Sequence, residues 1–404
     1  MKSLAAFLVS AFLAAPLCAQ QPQQKLTLAS ALDLAEKQNL DLVAARAQRA
    51  VALAGIKIAG QIANPIATFD VLRDSPHESL FFDQPLEIGG QRRRRMDLAR
   101  EETQITEIDI SALERLVRRS VREAYYGVAF ARGVTAQADE IVKLNERLRD
   151  TAQTRFDSGD IPKLEVTQAE LELARARVEF QVALQEEKVA LSQLNALLNE
   201  PPGTPWDVQG SLEMLPARPQ LDDLISRAGG TNADLQRVAE AQKVEARRRE
   251  LLKAQRIPNI GLEFGSDFNN PPSFQVGLRG GLIVELPIFT RNQGEIAQSL
   301  ANSRALESEQ AATRRSVAGR VEQAYFELDS REAEAQLYEK DLVPASKQLE
   351  SLAEDSYHAG KANILTVLGA QRDVQQVEHE YLLSLLAVQQ AFAALEEAVG
   401  APLD

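Results

Sequence analysis

The feature that most constrains this sequence is an alternation of apolar and polar residues near position 280. Even positions from 276 to 286 carry Val, Leu, Gly, Leu, Val and Leu, and odd positions carry Gln275, Arg279 and Glu285. A period of two is typical of a β-strand with one apolar face. The alternation also runs from Ile260 to Phe268, and the intervening Asn-Asn-Pro-Pro-Ser is typical of a turn. The sequence predicts a hairpin whose strands can cross a bilayer, which takes roughly 9–11 tilted residues.

The N-terminus has the pattern of a secretory signal peptide over residues 1–19. Lys2 precedes an apolar run from Leu4 to Leu17, and we expect cleavage after Ala19. Cys18 leaves a lipid-anchored alternative open, although Leu17 before it is larger than lipidation normally accepts. After this point the chain has no cysteine, which excludes disulfides and thiolate sites. We also expect no later apolar run to reach the ~20 residues of a membrane helix.

The remaining chain divides into two similar parts joined by a proline-rich linker at 201–219. A first structural repeat, 20–200, has two short helices, a hairpin at about 66–86, and long helices at about 92–156 and 163–199. A second, 220–404, has two short helices, a hairpin at about 260–286, and long helices at about 294–357 and 362–399. Heptad spacing of Leu164, Leu171 and Val178 indicates a coiled-coil seam. The predicted fold is mainly α, with a membrane β-barrel.

The offset between matching motifs supports an internal duplication. Phe156-x-x-Gly159 matches Tyr357-x-x-Gly360 at 201 residues, and Pro85 matches Pro287 at 202. Self-similarity at a long fixed period is a strong signal of a repeated architecture.

Four strands per chain cannot close a barrel. An open strand edge inside a bilayer leaves backbone groups unpaired at several kcal/mol each. Three chains would supply twelve strands, which lies within the range known for membrane barrels. The same symmetry gathers twelve long helices into a tube, so the sequence predicts a homotrimer.

The turns Phe156-Asp157-Ser158-Gly159 and Tyr357-His358-Ala359-Gly360, together with Leu286-Pro287-Ile288-Phe289, resemble the TolC family of outer-membrane efflux proteins. Pro85-Leu86-Glu87-Ile88-Gly89-Gly90-Gln91-Arg92 resembles the branch that serves heavy-metal pumps of the cobalt–zinc–cadmium type. The resemblance implies a bacterial outer-membrane duct that extends into the periplasm. It also implies as partners a periplasmic adaptor, an inner-membrane pump of the RND type, and outer-membrane lipid.

Such a duct is passive, so we expect neither enzymatic activity nor a cofactor. The net charge of −13 argues against a nucleic-acid partner. Divalent metal cations are the expected cargo, and organic toxicants, antibiotics or a secreted polypeptide remain alternatives. Two rival classes are a soluble periplasmic coiled-coil adaptor and, less favoured, a periplasmic enzyme.

The resemblance also supplies candidate site residues. Some TolC family members carry acidic residues at the periplasmic mouth, where this chain has Thr366 and Gly369, and the first-repeat equivalent of Thr366 is Glu165. A ring of Glu165 carboxylates could attract cations, whereas the alternative is an exposed carboxylate favoured by the helix dipole. The candidates for adaptor docking are the turn residues Ser158, Gly159, Asp160, Ala359, Gly360 and Lys361. Because they alternate with apolar residues that should face lipid, we expect four charged residues to line the barrel lumen: Glu263, Asp267, Arg279 and Glu285.

No metal site is predicted, because His77, His358 and His379 are widely separated and nothing has ligand spacing. Arg92 to Arg95 stand at a helix start just below the predicted barrel. Contact with anionic lipid is one interpretation, and a solvated face partly paired with Glu101 and Glu102 is the other.

Overall fold

A computed structural model describes residues 24–213, 219–270 and 272–403. The signal segment with Cys18 and residues 214–218 of the linker lie outside the described part. The protein is mainly helical, as the sequence predicts, and its elements follow one another in the order β1-α1-α2-β2-β3-α3-α4-β4-α5-α6-β5-β6-α7-α8-α9.

The first half of the chain contains four helices and four strands. Their bounds are β1 Gln24–Leu26, α1 Leu28–Gln38, α2 Leu40–Ala59, β2 Ile66–Val71, β3 Glu78–Leu86, α3 Gln91–Asp157, α4 Lys163–Leu198 and β4 Trp206–Val208. Helix α3 has 67 residues and is therefore about 100 Å long. The short strands β1 and β4 pair in parallel, a contact that no sequence pattern predicts.

The second half contains five helices and two strands. Their bounds are α5 Leu221–Thr231, α6 Ala233–Ala254, β5 Ile260–Asn270, β6 Phe274–Val284, α7 Gln293–Leu337, α8 Val343–His358 and α9 Ile364–Val399. Between α7 and α8, residues Tyr338–Leu342 form a π-helical turn where the sequence predicts one uninterrupted helix. The N–H of Val343 donates to the carbonyl of Tyr338, five residues back. Pro344 follows at once, and because it has no N–H it cannot continue the ordinary bonding ladder.

Four strands from the two hairpins form one antiparallel sheet in the order β2-β3-β5-β6. The two hairpins meet along β3 and β5, where Phe81 lies opposite Gly265 and Leu86 opposite Ile260. All four strands join helices at the same end of the sheet. The long helices therefore extend from that one end.

The helices pack around α3, which contacts α1, α2, α4, α6 and α9. Two apolar cores lie along the helices, one around Tyr125 near the middle of α3 together with Trp206, and one around Phe392 and Leu328. The Tyr125 hydroxyl lies 2.7 Å from the carbonyl of Gln209, and burial raises the pKa of this phenol to about 12. The first core packs α3 and α4 against α1 and α2, and the second packs α7 and α9 against α5 and α6.

Two buried asparagines fix the start of a short helix to the end of a long one. The Asn39 side chain accepts from the N–H of Asp41 and donates to the carbonyl of Leu197, at 3.0 and 2.9 Å. Asn232 makes the same two contacts with Asp234 and Ala398, at 3.0 and 2.9 Å. Each asparagine satisfies a free N–H at one helix terminus and a free carbonyl at another.

Two further sequence expectations are wrong. Glu101 and Glu102 pair with Arg247 and Arg248 of α6 rather than with the arginine run, because two helical turns put them beyond the reach of Arg94 and Arg95.

Helix α9 is, by length and composition, apolar enough to cross a membrane, although no such run was expected. More than half of its most apolar stretch is buried against the rest of the protein, which is what a packed core helix requires.

The close contact of β3 and β5 generates a stability prediction. A Cβ on Gly265 would lie 2.2 Å from the carbonyl oxygen of Leu80, whereas one on Gly280 would have its nearest neighbour at 3.8 Å. We expect Gly265→Ala to destabilise the protein by roughly 1–3 kcal/mol through overpacking, and Gly280→Ala to have a much smaller effect. Denaturant unfolding of the purified proteins in detergent measures both. Equal midpoints for the two variants would contradict the register.

Candidate functional site

Most charged side chains of the sheet lie on one face, and Glu78 at the far end of β3 is the exception among the described strands. In the strand register Glu263 and Asp267 of β5 flank the position of Arg279 on β6. The Arg279 guanidinium lies 3.7 Å from the Glu263 carboxylate and 4.0 Å from that of Asp267. It also lies 4.5 Å from the centre of the Phe81 ring. The sequence pattern identified these charges, but not the aromatic ring from β3 on which the cation rests.

Asp70 and Asp83 share this face by register, because Asp70 lies opposite Ser79 and Asp83 opposite Glu263. We call Asp70, Asp83, Glu263, Asp267 and Arg279 the charged face. Ser79 donates to Asp267 at 2.8 Å, and Glu285 follows β6 on the same parity as Arg279. The charged face holds four carboxylates and one guanidinium, so its net charge is negative.

The opposite face of the sheet is apolar and uncovered. Leu278 is 92% exposed, and large apolar side chains on all four strands point the same way, among them Phe69, Phe82, Phe264, Val276 and Leu282. The rings of Phe82 and Phe264 stack with their centres 5.5 Å apart. A continuous apolar surface of this kind marks an interaction with protein or membrane.

The outer strands β2 and β6 each pair on one side only within the described chain. The helical part also has two edges without a partner in the described chain, and each of them exposes apolar side chains. On α4 the heptad positions Leu164, Leu171, Val178, Val182 and Val189 are exposed. On the other side, Leu337, Leu342, Leu349 and Leu352 at the junction of α7 and α8 are exposed as well.

At the far end of the long helices two sharp turns lie side by side. Gly159 and Gly360 have φ of +81° and +68°, a conformation that other residues adopt only with strain. Their flanking residues Ser158, Asp160, Ala359 and Lys361 are all exposed. The side chains of the docking candidates therefore lie at the tip of the molecule.

The two turns are joined by a small core that includes Ile161, Ile364 and Tyr357. The Arg155 guanidinium lies 4.7 Å from the centre of the Tyr357 ring and donates to the Tyr357 carbonyl at 3.2 Å. Burial raises the pKa of the Tyr357 hydroxyl. In the sequence Tyr357 stands out only as part of the turn motif, and no pattern there indicates its contact with Arg155.

The three mouth candidates occupy different environments. Glu165 lies in the first turn of α4 and is half-buried, with one carboxylate oxygen shielded from solvent and unpaired within the described residues. Its charge acts on the buried Tyr357 hydroxyl. Thr366 is exposed and its N–H is capped by Asn363 at 3.1 Å. A Cβ on Gly369 would touch nothing within 4 Å.

A polar cavity of about 770 Å³ lies between α3, α4, α8 and α9. The buried amides of Asn145 and Gln371 line it together with Glu350 and Glu354. Burial raises the pKa of Glu350, and the charges of Glu354 and Glu378 add to the effect. Within residues 24–213, 219–270 and 272–403, no group of three or more His, Cys, Asp or Glu side chains is arranged to hold a metal ion.

A sheet with one charged and one apolar face, joined to a 67-residue helix about 100 Å long, defines an outer-membrane channel protein. The outer membrane efflux protein family matches residues 31–200 and 224–401. The chain therefore belongs to this family. It is located in the bacterial outer membrane and extends into the periplasm.

Individual relatives agree with this assignment. The cobalt-zinc-cadmium resistance protein CzcC of Cupriavidus metallidurans is 26% identical over 392 residues, covering 95% of this chain and 92% of CzcC. The crystal structure of the outer membrane protein VceC of Vibrio cholerae superposes with a TM-score of 0.74 at 17% identity, covering 93% and 97% of the two chains. CusC, described as forming a transmembrane channel, superposes with a TM-score of 0.75 at 17% identity, covering 93% and 92%.

The polar cavity generates a prediction about pH. Because the pKa of Glu350 is raised in the folded protein, the fold favours the protonated carboxyl, and its ionisation destabilises the protein as the pH rises above the ordinary value of 4.5. We expect Glu350→Gln to raise the unfolding midpoint at pH 7, and the gain to vanish as the pH falls below 4.5.

Glu309→Gln, at an exposed position of α7, is the matched control. A Glu350→Gln variant that is less stable than the wild type at pH 7 would contradict this account of the cavity.

Proposed function

We propose that three copies of this chain form a passive duct that carries divalent heavy-metal cations across the outer membrane. The support for three copies begins with the sheet. Its two unpaired edges, β2 and β6, can satisfy each other between neighbouring chains, and three sheets of four strands would make a closed barrel of twelve. The apolar face would then contact lipid, and the charged face would line the lumen.

The helical edges support the same assembly. The apolar stripe on α4 lies at one side of the four long helical segments, and the stripe on α7 and α8 at the other. In a ring of three, each α4 stripe would pack against the α7 and α8 stripe of the next copy, which is how a heptad seam is normally buried. Twelve helices would then form a tube through the periplasm.

An internal duplication would explain why each copy is built this way. Gly90 and Asn292 both begin a long helix with φ near +73° and +53°, and Asn199 and Gly400 both end one in the same left-handed region. The offsets of 202 and 201 residues match those of the sequence motifs. The paired capping by Asn39 and Asn232 adds an independent correspondence.

The cargo assignment rests on one observation, the similarity over 95% of the chain to a cobalt-zinc-cadmium resistance protein. The excess of carboxylates on the charged face is consistent with a cationic cargo, because rings of acidic side chains favour cations in a pore. Organic toxicants are the second candidate cargo. The duct would not catalyse a reaction, and an inner-membrane RND-type pump with a periplasmic adaptor would drive transport.

We expect a strain lacking the protein to become sensitive to cobalt, zinc or cadmium and to accumulate that metal, with normal tolerance of dyes and antibiotics. Growth and cellular metal content measure this directly. The wild-type gene on a plasmid should restore both readouts, and the Gly265→Ala gene should restore them poorly. Sensitivity to organic compounds alone, with unchanged metal content, would contradict the metal assignment.

For the tip, we propose that Ser158, Asp160, Ala359 and Lys361 contact the adaptor, while Gly159 and Gly360 shape the turns. The support is their exposure together at the end of the helices. A photo-crosslinking residue at 158 or 361 should capture the adaptor, and one at the exposed Glu309 of α7 should not. Equal capture from all three positions would contradict the docking role.

For the mouth, we propose that Glu165 biases entry toward cations, and that Thr366 and Gly369 line the same opening without charge. Glu165→Gln should lower the K⁺ to Cl⁻ permeability ratio in planar bilayers. An unchanged ratio would leave Glu165 as a half-buried helix carboxylate only.

A further inference from the structure

The end of the sheet that meets the helices carries an unusual charge pattern. We define the sheet rim as residues 56–66, 85–95, 250–260 and 284–295, the four places where a strand joins a helix. The chain as a whole has a net charge of −13, yet cations outnumber carboxylates at the rim. Six of these cations have no carboxylate partner among the described residues: Lys57, Arg92, Arg93, Lys253, Arg256 and Arg291.

The unpaired state of these cations is not a general property of the rim. Arg94 pairs with Glu250 at 2.8 Å, and Arg95 pairs with Glu87. Both of these arginines are half-buried, whereas the neighbouring Arg92 and Arg93 are exposed. The rim therefore separates its arginines into a paired inner set and an exposed outer set.

Two exposed rim cations are also held in place by backbone. Nε of Arg92 donates to the carbonyl of Gly60 at 2.5 Å, and Nε of Arg291 donates to that of Pro287 at 2.9 Å. In the described part of the chain, neither guanidinium forms an ion pair with a carboxylate. A planar guanidinium presented in this way suits a phosphate group.

Large apolar side chains lie among the same residues. Phe289 is 90% exposed, and Ile88, Leu286 and Ile288 are also exposed. Exposed aromatic and aliphatic side chains beside cations are typical of the boundary between hydrocarbon and lipid head groups. The apolar face of the sheet thus continues directly into a cationic border.

We propose that the sheet rim binds the head groups of anionic phospholipids in the periplasmic leaflet of the outer membrane. This inference rests on the proposed duct, since the rim meets that leaflet only if the sheet spans the membrane and the helices extend into the periplasm. Charge complementarity selects anionic over zwitterionic head groups. Each basic residue beside an anionic membrane surface increases the binding affinity roughly fivefold.

The test compares two variants that each lose two lysines and two arginines. The rim variant replaces Lys57, Arg93, Lys253 and Arg256 by Gln, the four rim cations whose side chains form no hydrogen bond in the described residues. The control variant replaces Lys188, Arg304, Arg314 and Lys340 by Gln, which are exposed positions on the helices away from the sheet.

Each purified protein is mixed with equal amounts of dioleoyl phosphatidylglycerol and dioleoyl phosphatidylcholine, and bound lipid is counted by native mass spectrometry. The wild type and the control should retain a several-fold excess of phosphatidylglycerol, which falls as the salt concentration rises. The rim variant should bind the two lipids about equally.

Three results would overturn the proposal. These are no phosphatidylglycerol preference in the wild type, an undiminished preference in the rim variant, and dissociation of the rim variant alone into single chains. The last result would indicate that the rim cations form ion pairs with carboxylates of a second copy. Ion conduction by the wild type in phosphatidylcholine bilayers distinguishes a failure of the lipid-binding proposal from a failure of the proposed duct. Conduction without lipid preference overturns only the inference, and absence of conduction contradicts the duct.

Discussion

The unpaired backbone of the two outer strands is the constraint on which the rest of the structure depends. Strands β2 and β6 leave their outer N–H and C=O groups without partners in the described chain, and in hydrocarbon each such group costs several kcal/mol. Water could satisfy these groups, but the large apolar face beside them disfavours water. Pairing with further copies resolves both conflicts, because it closes the edges and leaves the apolar face to lipid. These two constraints are the physical support for our proposal that the open sheet is one third of a barrel.

The helical part also has unsatisfied edges, but there the exposed groups are apolar side chains and not backbone N–H and C=O groups. Its cores near Tyr125 and Phe392 are complete within one chain, whereas the stripes on α4 and on α7 and α8 are not. Both incomplete surfaces lie at the edges, where a neighbour would stand. In the proposed duct, selectivity would come from the charged side chains that face the passage.

The hairpins and long helices could be predicted because each is encoded by a local period. The alternation around Arg279 marks a strand with two unlike faces, and the heptads of α4 mark a long helix. Contacts between distant segments carry no such signal, which is why the β1–β4 pair, the ring of Phe81 beneath Arg279 and the partners of Arg94 and Arg95 were not predicted. Glu165 acts electrostatically on the Tyr357 hydroxyl of the other helical pair, and no pattern near Glu165 indicates this proximity.

The most direct test of the central claim is a disulfide between the two outer strands. Phe69 on β2 and Leu278 on β6 lie at the same level on opposite edges of the sheet, about 14 Å apart across three strand spacings, so a bond within one chain is excluded. With cysteine at position 69 and, in turn, at 276, 278 or 282, and with Cys18 replaced by Ser, mild oxidation should give covalently linked trimers for at least one pair. Chains that remain monomeric for every pair, or that join into open-ended ladders, would contradict a closed three-chain barrel.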